Sequence, residues 1–95
     1  GIPIFILENG IADHQDAQRP DFIKKHLQAI HQAIIQGAPV KGYCHWTLTD
    51  NFEWHEGKSA RFGLFEVDYQ TLERFPRPSA YLFKQIATQN YLNLE

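Results

Sequence analysis

The sequence predicts an α/β fold built on parallel strands, and three stretches carry this prediction. Residues 3–7 form an unbroken apolar run, which is typical of a strand buried on both faces of a parallel sheet. Residues 20–36 show the apolar periodicity of a helix, and residues 40–48 are rich in side chains that favour strands. Strand, helix and strand in fewer than fifty residues predict a βαβ unit with a right-handed crossover.

The first strand is predicted to end in a carboxylate, Glu8, after which Asn9-Gly10 turns the chain. Ligands of α/β folds bind at the carboxyl ends of the strands, and in barrels a carboxylate at that place indicates catalysis. The position fits equally well an exposed glutamate that merely ends a strand. Glu8 is therefore a candidate site residue with both interpretations open.

The predicted helix is defined by its ends and by one apolar stripe. Pro20 suits the first helical position, and Gly37 suits the residue that follows the last turn. His26 and His31 are five residues apart, so they do not share a helix face and do not favour a shared metal. Residues 11–18, before the helix, are expected to be a solvated loop. The stripe consists of Ile23, Leu27, Ile30 and Ile34.

Beyond the second strand, the sequence predicts a loop, a third strand and a last helix. Residues 50–54 form a loop with two acids and two aromatic residues, and residues 62–67 suit a short strand. A turn is expected at residues 68–71, and Ser79 is predicted to cap a helix that ends near Gln89. The side chains expected to face inward from this helix are Tyr81, Leu82, Phe83 and Ile86.

Composition excludes several classes of partner. The 95-residue chain is 43% hydrophobic with a formal net charge of −2, so it can form a core but offers no basic patch for nucleic acid or an anionic membrane. No apolar run is long enough to span a bilayer. The single cysteine, Cys44, excludes an internal disulfide and a thiolate metal site, and it is expected to be a reduced core thiol. Neither a metal nor a cofactor is implied.

The chain is too short to close a parallel sheet. Two parallel strands with two helices leave strand faces and edges without partners, and a complete (β/α)8 barrel takes roughly 250 residues. We therefore expect the remainder of a barrel as partner, or self-association of this chain. Because the chain begins with Gly1 and not Met, an upstream portion is expected. A cytoplasmic location is the expectation, although a chain without its true N-terminus does not fix the compartment.

Three motifs occur in order along the chain: Glu8-Asn9-Gly10 after an apolar strand, the run Lys41-Gly42-Tyr43-Cys44-His45-Trp46-Thr47-Leu48-Thr49-Asp50-Asn51-Phe52-Glu53-Trp54, and Arg61-Phe62-Gly63-Leu64 continuing to Val67-Asp68. Together they resemble the C-terminal quarter of family 1 glycoside hydrolases, the β-glucosidases and their relatives. The resemblance implies a (β/α)8 TIM barrel in which residues 1–95 supply strands and helices seven and eight. It also implies a retaining hydrolase whose substrate is a β-glycoside, in small glycosides or oligosaccharides.

The resemblance also assigns roles to individual residues. Glu8 matches the nucleophile, one of two carboxyl groups that a retaining glycosidase holds ~5–5.5 Å apart. Trp46 matches the tryptophan on which the sugar stacks, and the peptide bond after it is expected to be cis. Glu53 and Trp54 match the pair that binds sugar hydroxyls, and Phe62 matches an aromatic residue lining the same pocket. A core tryptophan and a packed hairpin phenylalanine are the alternatives for Trp46 and Phe62.

Part of the family's machinery is absent from these residues. The Asn-Glu-Pro motif that carries the family's acid/base glutamate does not occur, so the 95-residue chain alone is expected to be inactive. Leu7 replaces the usual Thr or Ser, and His55 and Lys58 replace Ala and Tyr. Two alternatives stay open: an inactive barrel fragment that self-associates or binds sugar weakly, and a 6-phospho-β-glycosidase segment. The carboxylate of Glu53 would repel a phosphate and so favours a neutral sugar.

Overall fold

The computed structural model describes residues 1–94, which form two two-stranded sheets, two α-helices and a short 3-10 helix at Trp54–Glu56. The elements are β1 (Ile4–Ile6), α1 (Arg19–Ile35), β2 (Val40–Tyr43), β3 (Phe65–Val67), β4 (Arg74–Pro76) and α2 (Pro78–Gln89). Strands β1 and β2 pair in parallel, and α1 connects them, so the predicted βαβ unit is confirmed. Strands β3 and β4 pair antiparallel as a hairpin, and α2 follows directly.

Helix α1 begins one residue before the predicted start and ends as the sequence predicts. Pro20 lies in the first turn, where its missing N–H costs no helical hydrogen bond. Gly37 has a φ of +105°, a left-handed conformation that glycine adopts without steric cost. The apolar stripe is fully buried at Ile23, whereas Ile34 near the other end is 45% exposed. The N-terminal half of α1 therefore provides most of its packing.

Strand β2 ends earlier than predicted, at Tyr43 and not near residue 48. Beyond Tyr43 the backbone forms hydrogen bonds with other segments: Trp46 N–H donates to the carbonyl of Asn9, and Thr47 N–H donates to the carbonyl of Phe62. The predicted strand over residues 62–67 is likewise shortened, and its partner β4 was not predicted as a strand. The prediction of a core thiol is wrong, because the Cys44 side chain is exposed.

Strand β1 is not buried on both faces, contrary to the prediction from its apolar run. Phe5 is 60% exposed and Leu7 is 71% exposed. Within residues 1–94 only β2 lies beside this strand, so one edge and much of both faces lack a covering layer. The fully or nearly buried apolar side chains are instead Ile23, Leu64 and Val67. None of the helices among the described residues has the length and apolar character needed to cross a membrane.

A buried polar cluster joins Asp16 to both helices, so the expectation of a solvated loop fails at this residue, whereas residues 12, 14, 15, 17 and 18 are exposed as expected. The guanidinium of Arg19 is fully buried and pairs with the carboxylate of Asp16. Asp16 also accepts hydrogen bonds from the backbone N–H and the hydroxyl of Ser79, at 2.8 and 2.7 Å. Ser79 is therefore a buried first-turn residue of α2, and Arg77 occupies the cap position predicted for it.

The inward face of α2 also differs from the prediction at one position. Tyr81 is 62% exposed, whereas Leu82, Phe83 and Ile86 are half-buried. The contacts of Ser79 with Asp16 fix the rotation of the helix, and this rotation turns Tyr81 toward solvent. Helix α2 packs against α1 and β4 in this orientation.

Candidate functional site

One open cleft brings together most of the predicted site residues. Its volume is about 460 Å³. Trp54 does not line it and is 82% exposed, with its ring edge-on to Phe52 at a centroid distance of 6.4 Å. The lining residues are Glu8, Asn9, Gly10, Trp46, Glu53 and Phe62.

The turn after β1 places Glu8 beside Trp46 through a close backbone approach. Trp46 N–H donates to the carbonyl oxygen of Asn9 at 2.8 Å. A Cβ atom on Gly10 would lie 1.9 Å from the carbonyl oxygen of Trp46, well inside any permitted contact. Only glycine allows the two segments to meet at this distance. Within residues 1–94, no side chain or backbone group hydrogen-bonds the exposed carboxylate of Glu8.

The indole of Trp46 is tied to the second carboxylate of the cleft. Its Nε1–H donates to Oε1 of Glu53 at 3.1 Å. Glu53 is in turn held by its backbone N–H, which donates to the carbonyl of Gly57 at 2.7 Å and closes a tight turn. The peptide bond between Trp46 and Thr47 is cis, as expected. An aromatic face and a carboxylate therefore occupy adjacent positions in the cleft.

Phe62 completes the cleft from the opposite segment. Its carbonyl accepts the N–H of Thr47 at 3.3 Å, and the N–H of Leu64 donates to the carbonyl of Thr47 at 2.9 Å. This short ladder holds Phe62 alongside the chain that carries Trp46. The phenylalanine is half-buried, so it both packs against the loop and lines the cleft.

A buried carboxylate, Asp50, anchors the loop that carries Glu53. Arg77 contacts it with Nη1 at 2.9 Å from Oδ1 and Nη2 at 3.0 Å from Oδ2, and Arg61 Nη1 lies 3.0 Å from Oδ2. The backbone N–H groups of Gly63 and Val67 add two further bonds. Burial by itself raises the pKa of Asp50, but the bonds from Arg77, Gly63 and Arg61 outweigh it and lower the pKa to about 2. Asp50 therefore remains ionised.

Sequence reasoning did not identify this anchor or the side-chain contacts of Asn9. Asn9 accepts the hydroxyl hydrogen of Tyr43 at 2.9 Å and donates to Nδ1 of His26, also at 2.9 Å. Burial raises the pKa of Tyr43 to about 12, so its hydroxyl remains a donor. Asn9 is separated from His26 by 17 positions along the chain and from Tyr43 by 34. No local periodicity or spacing connects such residues, and only the fold brings them together.

The described part of the chain offers no group of three His, Cys, Asp or Glu side chains that could hold a metal ion. The chemistry available in the cleft is that of two carboxylates, an indole donor and two aromatic faces. This combination suits a polyhydroxylated ligand, because carboxylates accept hydroxyl hydrogens and aromatic faces pack against C–H groups.

Residues 1–92 match the sequence model of glycosyl hydrolase family 1, and the chain belongs to this family of glycosidases. It is 47% identical to a β-galactosidase from Sulfolobus acidocaldarius over 95% of this chain and 18% of that protein. It is 46% identical to a 6-phospho-β-galactosidase from Staphylococcus haemolyticus, over 88% of this chain and 20% of that protein. The crystal structure of a β-glucosidase from Pyrococcus furiosus superposes with a TM-score of 0.95 at 49% identity, over 97% of this chain and 20% of that one.

The chain thus spans about a fifth of the length of the relatives that it matches. The structural neighbours are TIM barrels, and the described residues correspond to a portion of one. The family resemblance inferred from the three motifs is confirmed.

Proposed function

We propose that this chain supplies strands and helices seven and eight of a retaining β-glycosidase barrel, with residues 1–95 forming its C-terminal βαβα segment. In that barrel Glu8 is the nucleophile, and the chain provides half of the pocket for the sugar. The observation that carries the proposal is the convergence of Glu8, Trp46, Glu53 and Phe62 on one cleft from distant parts of the chain.

The geometry suits a two-step displacement. Glu8 is exposed at the carboxyl end of β1, where its carboxylate can attack the anomeric carbon and form a glycosyl-enzyme. A second carboxyl group, from the remainder of the barrel, protonates the leaving oxygen and then activates water. Trp46 offers its face to the C–H face of the sugar. Glu53 uses Oε1 for the indole N–H and has Oε2 for a sugar hydroxyl. Trp54 lies outside this cleft among residues 1–94, so its expected contact with the sugar requires a side-chain position that the full barrel imposes.

The charge of Glu53 favours a neutral sugar over a phosphorylated one. A carboxylate beside the position of the sugar hydroxyls repels a phosphate dianion, because bringing like charges together raises the free energy of the bound state. The 6-phospho-β-galactosidase among the relatives makes phosphorylated glycosides the natural comparison substrate. We expect β-glucosides and β-galactosides to be turned over faster than their 6-phosphates.

A non-catalytic role for the isolated chain is the second candidate. Ile2, Phe5 and Leu7, in β1 or beside its ends, are 86%, 60% and 71% exposed, which is an unusual concentration of apolar surface along one short segment. Such a surface either contacts the rest of a barrel or drives self-association. In the second case the chain binds sugar weakly at most, since it holds one catalytic carboxylate and half a pocket.

A chimeric barrel tests the proposal directly. Residues 1–95 replace the matched segment of the Pyrococcus furiosus β-glucosidase, to which they are 49% identical. We expect the chimera to hydrolyse aryl β-glucosides with retention of configuration. A 2-deoxy-2-fluoroglucoside should label Glu8, as read by mass spectrometry of the digested protein. Glu8→Gln should abolish turnover, whereas Glu73→Gln, an exposed glutamate outside the cleft, should leave it unchanged.

An active chimera that carries the label elsewhere, or that survives Glu8→Gln, contradicts the assignment of the nucleophile. The 95-residue chain by itself should show no turnover. Hydrolysis of an aryl β-glucoside by that chain, lost in Glu8→Ala, contradicts the expectation that the acid/base must come from outside it.

A further inference from the structure

The side chain of Asn9 is held from two sides at the position next to Glu8. Tyr43, on β2, donates its hydroxyl hydrogen to Oδ1 at 2.9 Å. The Nδ1 atom of His26, on α1, accepts a hydrogen bond from Nδ2 of Asn9, also at 2.9 Å. The backbone carbonyl of Asn9 accepts from Trp46 N–H at 2.8 Å. The residue following Glu8 therefore connects the end of β1 to α1, β2 and the base of the cleft.

The hydrogen bonds run in one direction, which fixes the orientation of the amide. The Tyr43 hydroxyl has one hydrogen and gives it to Asn9, so its 3.3 Å contact with Nδ1 of His45 needs a hydrogen from the histidine. His45 can supply it while neutral. Burial, together with the positive charge of Arg19, lowers the pKa of His45 to about 4, against the opposing effect of Asp16. The order of donation is His45 to Tyr43 to Asn9, and from Asn9 to His26.

No group among residues 1–94 hydrogen-bonds the carboxylate of Glu8, so these bonds act on Glu8 only through the backbone that it shares with Asn9. Its position follows from the backbone of Glu8-Asn9-Gly10, and the side chain of Asn9 is the part of that turn with two fixed partners. A nucleophile displaced by about 1 Å loses on the order of a hundredfold in rate.

We infer that Asn9 is a positioning residue for Glu8, and that Tyr43 and His26 act through it by fixing its side-chain amide. This inference rests on the proposed function, since it concerns the reaction in which Glu8 is the nucleophile. Asn9 itself takes no part in bond making.

The inference is tested in the chimeric barrel by kinetics of an aryl β-glucoside. Asn9→Leu removes both side-chain bonds and should lower kcat roughly 10- to 100-fold, with KM changed less than about threefold. His26→Phe keeps the ring stack on Phe22, whose centroid lies 3.9 Å away, but loses the acceptor; it should lower kcat on the order of tenfold. His26→Gln restores an acceptor and should recover most of that loss. His31→Phe, on the same helix, is the matched control and should be neutral.

A second measurement separates positioning of the nucleophile from general support of the pocket. In a Glu8→Ala background, azide can attack the anomeric carbon of 2,4-dinitrophenyl β-glucoside: a C–N bond forms, the C–O bond to the phenolate breaks, and an α-glucosyl azide results. With the carboxylate gone, Asn9→Leu should change this azide-dependent rate less than about twofold. A residue that merely supports the pocket would lower it as strongly as it lowers the parent reaction.

Each result of these experiments either supports or overturns the role of Asn9 as a positioning residue. An inactive unsubstituted chimera overturns the proposed function and this inference together. An active chimera in which Asn9→Leu and His26→Phe retain kcat overturns the inference alone. So does an azide-dependent rate that falls in parallel with the parent rate, or a failure of His26→Gln to improve on His26→Phe. The losses and the recovery described above, with an unchanged azide reaction, support it.

Discussion

The buried carboxylate of Asp50 should be among the most costly single side chains to neutralise in this chain. It accepts five hydrogen bonds, two of them from the fork of Arg77 and one from Arg61. Asp50→Asn keeps the size of the side chain but removes the charge, and it turns an NH2 group toward these donors. Removing one partner of a buried ion pair typically costs about 3–5 kcal/mol, because the remaining charge is left without compensation.

The magnitude can be checked against the pKa of the same group. Since one pKa unit corresponds to about 1.4 kcal/mol, the fall from 3.8 to about 2 corresponds to roughly 2–3 kcal/mol of folding free energy. The folded-state pKa of Asp50 lies below the unfolded value, so this contribution is complete above about pH 4 and is lost as the pH falls toward 2. The two figures agree within the spread of such interactions. The total free energy of unfolding of a folded domain is only about 5–15 kcal/mol.

The assay is urea unfolding of the 95-residue chain, followed by far-UV circular dichroism at neutral pH and at pH 3, with every variant at the same protein concentration because the chain is expected to self-associate. Asp50→Asn should lower the free energy of unfolding by about 3–5 kcal/mol at neutral pH and by less at pH 3. Asp21→Asn, an exposed aspartate in the first turn of α1, is the matched control and should cost less than about 1 kcal/mol. Equal effects of the two substitutions, or an Asp50 effect independent of pH, would refute the reasoning.

Three further predictions concern the cleft and the exposed apolar surface at β1. Gly10→Ala in the chimeric barrel should reduce kcat at least tenfold, because its Cβ meets the carbonyl of Trp46 at 1.9 Å; wild-type kinetics would contradict the close approach. Glu53→Gln should lower kcat/KM for an aryl β-glucoside roughly 10- to 100-fold while improving the relative rate on its 6-phosphate, and an unchanged ratio of the two rates argues against the charge effect. The 95-residue chain should self-associate in size-exclusion chromatography with light scattering, and Leu7→Glu should lower its average mass. The control is Leu72→Glu, because Leu72 is 61% exposed near the β3–β4 turn. Equal masses for the two variants would refute an interface at β1.

The sequence by itself determined the order of the elements apart from β4, and the position of the candidate nucleophile. The apolar run before Glu8 and the i, i+4, i+7 stripe of α1 are local patterns, and local sterics and periodicity fix what they form. Pro20 and Gly37 marked the ends of that helix for the same reason. The family motifs added the five site residues, of which four line one cleft.

Tertiary structure decided which polar groups are buried and what each of them contacts. Asp16, Arg19 and Asp50 belong to residue types that are mostly exposed, and nothing in their immediate neighbours signals otherwise. Several of their partners, and those of Asn9, lie 17 to 63 positions away. Shorter links, within 13 positions, join Arg19 to Ile11, Asp13 and Asp16, and Asp50 to Arg61 and Gly63. A buried charge is tolerated only where several such partners converge, and that convergence is a property of the folded chain and not of any stretch of its sequence.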